Sequence, residues 1–171
     1  MPHKNIERLL YEFSLTEVYF GGEGFRICTI AELPEAQLGY AKHPNGNDLT
    51  GKNEGDWKKE WLVIGNDTSL GDPYFIDTSV ETLPVYTAMH GMGSWNPEEI
   101  SPSLKNFLGS LKHLQSISRQ DCARIDPDKT TLVDRKKIKE LEAKLNELNG
   151  ERYFWSGFFE RYIEWLEEND S

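Results

Sequence analysis

Residues 61–107 constrain what this chain can fold into more than any other stretch. They read WLVIGNDTSLGDPYFIDTSVETLPVYTAMHGMGSWNPEEISPSLKNF. The apolar run Trp61, Leu62, Val63, Ile64 stops at Gly65, Asn66 and Asp67. The turn-forming set Gly71, Asp72, Pro73 then releases a second run, Tyr74, Phe75, Ile76. A third run occupies residues 83–88. Short apolar runs separated by clusters of Gly, Asn, Asp and Pro are strands joined by tight turns, because those residues supply the backbone angles that a reversal needs. Ser101 and Pro102 then form a helix start, an N-cap followed by proline at the first helical position. The stripe Leu104, Phe107, Leu108, Leu111, Leu114 continues it. A small sheet handing over to a helix is the organising expectation.

The remainder of the chain fits around that unit. Ile6, Leu9, Leu10 and Phe13 fall on one face of a short first helix. Residues 15–20 and 25–30 read as two strands flanking the Gly21-Gly22-Glu23-Gly24 turn, a hairpin. A phosphate cradle at GGEG would need a following Lys and Ser or Thr at a helix start, and neither is present. Residues 31–41 hold a brief helix interrupted by Pro34. Residues 42–59 are polar and aperiodic and read as a long exposed loop, with Trp57 tucked back onto the sheet. After a polar connection over residues 120–131, Asp134 precedes a charged helix with Ile138, Leu141, Leu145 and Leu148 on one face. Asn149-Gly150 ends it. A final helix carries Trp155, Phe158, Phe159, Tyr162, Trp165 and Leu166, so the two form a helical hairpin. The expected architecture is α+β, a central mixed or antiparallel sheet covered by helices. Residues 1–120 form the main domain, and 121–171 form a helical extension packed on it.

Composition narrows the function. The formal net charge of −10 disfavours nucleic acid and anionic membrane, which repel an acidic surface; it suits either a basic partner or simply a protein kept in solution by its charge. An aromatic share of 12% is enough for a substantial core. Cys28 and Cys122 lack ligand spacing, and two isolated thiols suit a reducing compartment. No run approaches the length of about 20 residues that crosses a bilayer. A cytoplasmic protein is expected.

Candidate chemistry is sparse. Asp67, Asp72 and Asp77 recur at five-residue intervals, and His90 sits between Met89 and Gly91. Carboxylates on loops can bind a divalent cation through oxygen, and a loop histidine can act as a base. The stretch lacks the calcium-loop pattern, however, and no nucleophile motif accompanies His90. Asp67 and Asp72 lie in turn sequences, where Asp bonds the local backbone. No cofactor or metal is expected. The loops around Asp67, Asp72, His90 and Trp95, with Glu98 and Glu99 adding charge, are the expected partner-binding residues.

These same residues carry a resemblance. The run from Trp61 to Asp67, the Gly71-Asp72 turn, the strand ending at Asp77 and the segment Pro84, Val85, Tyr86 resemble the SUKH superfamily, and within it the Smi/Knr family. His90, Gly91 and Trp95 match its loop; Ser103, Leu104, Phe107 and Leu108 match its helix. The N-terminal Leu9, Leu10, Tyr11, Glu12, Phe13 lacks the Leu-Pro that usually precedes it, and the hairpin after Gln120 lies outside the pattern. The resemblance implies an α+β fold and a non-enzymatic role. Many bacterial members resemble immunity proteins that neutralise toxins, often nucleases; eukaryotic relatives resemble scaffolds of cell-wall and signalling regulation. The expectation is a protein-binding domain, most specifically an immunity protein that captures a basic toxin domain. The alternatives are a scaffold or regulatory module that docks through the helices after Gln120, and a metal-dependent hydrolase using Asp67, Asp72, Asp77 and His90.

Overall fold

The computed structural model describes residues 2–170. Helix α1 (Pro2–Phe13) precedes the hairpin of β1 (Glu17–Phe20) and β2 (Glu23–Ile27). A 3-10 turn, Ile30–Glu32, runs into the short α2 (Leu33–Ala36). The long loop then leads to β3 (Trp61–Asp67), β4 (Pro73–Asp77), β5 (Val85–Thr87) and β6 (Glu98–Ser101). Helices α3 (Leu104–Ser118), α4 (Arg135–Asn149) and α5 (Tyr153–Glu168) complete the chain. The strands form one antiparallel sheet in sequence order, β1 to β6. The architecture is α+β, as the turn-punctuated apolar runs require.

Both faces of the sheet are covered. One face presents Val18, Phe20, Phe25, Ile64, Tyr74, Ile76 and Val85 to α1, α3, α4 and α5. The other presents Val63 and Phe75, which pack with Trp57, Ala88 and the partly buried Tyr40, Trp61, Tyr86 and Trp95. Covering both faces explains why β3 and β4 read as unbroken apolar runs rather than alternating ones. It also explains Trp57, which the polar loop over 42–59 delivers into the second cluster at 2% exposure.

Two expectations are revised. The helix cap is Ser103, whose hydroxyl accepts the Asn106 N–H at 3.0 Å, not Ser101. Ser101 instead ends a sixth strand and pairs with Val85. Sequence patterning passed over β6 because its four residues hold one apolar side chain, Ile100. The hairpin loop is also tighter than GGEG, because Glu23 and Gly24 already pair with Phe20 and Tyr19. Cys28 and Cys122 are both free thiols, and burial raises the pKa of Cys28. No helix of the described residues is long and apolar enough to cross a membrane.

Candidate functional site

Three segments meet around one cleft of about 1050 Å³: the β3–β4 turn, the 88–97 loop and the N-terminal half of α5. The turn is built by Asp67. Its carboxylate accepts the N–H groups of Ser69 at 2.9 Å and Leu70 at 2.8 Å. Its main chain closes the turn through Asp72 O and Gly71 N. An Asp at the end of a strand competes for nearby N–H groups in this way because its side chain is short. Leu70 is left at the tip, 70% exposed. Asp77 does the same at the next turn, accepting from the Ser79 N–H at 2.9 Å and from the Ser79 hydroxyl at 2.5 Å.

Asp72 acts across segments. One carboxylate oxygen lies 2.6 Å from His90 Nδ1 and accepts the His90 N–H at 3.1 Å. Two contacts to one oxygen fasten the start of the 88–97 loop to the turn. The far end is fastened by Trp95, whose N–H donates to Gly55 O at 2.8 Å and whose ring packs on Trp57 and Tyr40. Between these two pins, Met89 and Met92 stay 64% and 67% exposed on the cleft.

The opposite wall comes from α5 and β6. Glu98 and Glu99 are consecutive strand residues and point to opposite faces. Glu98 lines the cleft. Glu99 is paired with Arg152 at 2.9 Å and also accepts the Tyr86 hydroxyl. Tyr153 and Phe154 of α5 line the wall, and Arg161 reaches across to Glu23 at 2.6 Å. On the floor is Tyr74, 3% exposed, whose hydroxyl burial keeps it protonated well beyond the ordinary tyrosine range, with the Asp67 charge adding to the effect.

The cleft thus gathers Asp67, Asp72 and Glu98 from the expected set, with His90 held against its rim by Asp72. Glu99 is spent on Arg152, and Trp95 is half-buried in the second core cluster, where it places the loop rather than offering a free ring. Leu70, Met89, Met92, Tyr153 and Arg161 were missed. For Leu70, Met89 and Met92 the signal was apolar side chains in a turn and a Gly-rich loop, where nothing in the local pattern buries them; Tyr153 and Arg161 lie on α5 and carried no such signal.

Chemically the site offers charge and apolar surface. Among the described residues no three His, Cys, Asp or Glu side chains are grouped as a metal ion would need. Asp67 and Asp77 direct their oxygens at their own turns, and Asp72 is engaged by His90. Comparison of the chain with protein-family models, with curated proteins and with solved structures finds no match.

Proposed function

We propose that this chain is a non-enzymatic protein-binding domain, most specifically a cytoplasmic immunity protein that neutralises a toxin by covering its working surface. The observation that carries the reading is the cleft, where four large apolar side chains, Leu70, Met89, Met92 and Tyr153, stand exposed around carboxylates. Exposed apolar groups gathered at one place with a charged surround mark an interaction site. Among the described residues neither Asp67 nor Glu98 is paired with a cation, and the chain's net charge of −10 extends the attraction for a basic partner to longer range. The SUKH-like succession of turns and strands points to the same role.

The scaffold alternative needs the last two helices free for docking. Trp155, Phe158, Phe159, Tyr162 and Leu166 lie in the core instead, at 5% exposure or less, which favours the cleft. The test is co-expression with the toxin candidate encoded by the adjacent reading frame. Protection of the cells and recovery of a stable complex are expected. Failure both to protect and to bind would contradict the reading.

A further inference from the structure

We infer that the cleft takes an amphipathic α-helix of the partner, about two turns of it, with apolar residues along one face and Lys or Arg on the flank. This rests on the protein-binding reading above and specifies what is bound.

Backbone accounting separates a helix from an extended segment. An extended segment that adds to a sheet needs a free strand edge. The cleft is walled by residues of β2, β3, β4, β5 and β6. Strands β2, β3, β4 and β5 have neighbours on both sides. Strand β6 is at the sheet edge, but two of its carbonyls are already taken: Arg152 Nη1, at the N-cap of α5, donates to Glu99 O at 3.0 Å, and Trp155 Nε1 of α5 donates to Ile100 O at 2.8 Å. An extended occupant would bring its own N–H and C=O groups into the cleft with no ladder to join, at a cost for each. A helix arrives with those groups already paired.

Size allows it. A helix with side chains is roughly 10–12 Å across and rises about 5.4 Å per turn, and the open cleft of about 1050 Å³ has room for one face of about two turns.

The lining supplies the matching chemistry. Met89 and Met92 are unbranched and polarizable and conform to an irregular apolar face. Leu70 and Tyr153 extend the apolar contact on the turn and on α5. Of the charged lining residues, Glu23, Asp67, Asp72 and Glu98 are acidic and Arg161 alone is basic. Arg161 is committed to Glu23 and His90 lies against Asp72, so the excess is negative and calls for Lys or Arg beside the apolar stripe.

The experiment uses the full chain and three labelled peptides of about 14 residues, long enough for marginal helicity. One is an amphipathic Leu/Lys peptide. The second has the same composition with two central residues replaced by proline. The third is the Leu/Glu counterpart. Fluorescence anisotropy is read at about 0.15 M salt, where long-range attraction is largely screened. The Leu/Lys peptide is expected to bind, the proline peptide about tenfold more weakly, and the Leu/Glu peptide not measurably. The double variant Met89→Ser/Met92→Ser and the variant Glu98→Lys alter exposed side chains, so near-UV circular dichroism should be unchanged. Each should weaken the Leu/Lys peptide, the double variant by about tenfold. Equal binding of the helical and proline peptides, no binding of the Leu/Lys peptide, or indifference to the cleft variants would overturn the inference. If any of these occurs while the adjacent gene's product is still captured, the helix is wrong and the protein-binding reading survives. If capture fails as well, both fall.

Discussion

Two glutamines show how single side chains complete this backbone. Gln37 donates through Nε2 to Val63 O and accepts the Val63 N–H through Oε1, both at 2.9 Å. Gln120 does the same for Gly21, accepting its N–H at 2.8 Å and donating to its carbonyl at 2.9 Å. Each amide stands in for a strand residue at a point where the ladder has none, and both side chains are buried. Gln37→Ala and Gln120→Ala each leave a buried donor and acceptor unpaired, so each should cost about 2–3 kcal/mol in urea denaturation with an unchanged m-value. Gly65 is required for a different reason. It sits at the β3 irregularity, and a Cβ there would lie 2.1 Å from Arg26 O, a backbone atom with little room to give. Gly65→Ala should destabilise by about 2 kcal/mol in the same assay. None of this was legible in the sequence, since a lone Gln carries no periodicity and the glycine reads as a strand terminator. The apolar residues around them were legible, because burial imposes spacing.

At the scale of elements, the sequence signalled helices better than short strands. Asp134 caps α4 as its position implied, accepting the Lys136 N–H at 2.9 Å, and Gly150 ends it with φ +74°. The α3 stripe is buried as read, while its cap moved from Ser101 to Ser103 because β6 needed Ser101 as its last residue. The other end of α3 carries a correctable cost. Arg119 occupies the left-handed region at φ 54°, where a side chain is strained and glycine is not. Arg119→Gly should therefore stabilise by about 0.5–1 kcal/mol, read as a raised denaturation midpoint. The cleft's loop is an element of its own, pinned at His90 and Trp95. Asp72→Ala removes the first pin, so amide hydrogen exchange over residues 88–93 should accelerate while the sheet's rates stay as they are. Charged positions announced the acidic character of the cleft, but their pairing was out of reach: whether Glu98 or Glu99 faces it depends on a strand that the pattern did not show.

Across the whole molecule, one core runs from Ile6 to Leu166 and joins both parts of the chain that the sequence divides at Gln120. Phe20 and Phe25 of the hairpin pack on Trp155, Phe158 and Tyr162 of α5. Truncation after Gln120 would strip that aromatic layer, so the fragment should lose its near-UV signal rather than keep a folded sheet. The same layer sets the alkaline limit. Burial pushes the Tyr162 hydroxyl up to about 12, and Tyr74 is raised in the same direction. Between pH 10 and about 12 the unfolded chain releases these protons and the folded chain retains them, so stability is intact below pH 10 and falls as pH rises through that window. Tyr162→Phe should flatten part of that slope in denaturation series at pH 9 and 11, with Tyr74 and the other raised tyrosines, Tyr19, Tyr40 and Tyr86, keeping the rest.

The proposed seat of a basic protein partner is the cleft. The most direct measurement is hydrogen exchange on the full chain with and without the captured product of the adjacent reading frame. Slowed exchange is expected, confined to the β3–β4 turn, the 88–97 loop and the start of α5. Slowing confined to α4 or to the 42–59 loop, with the cleft unchanged, would contradict it.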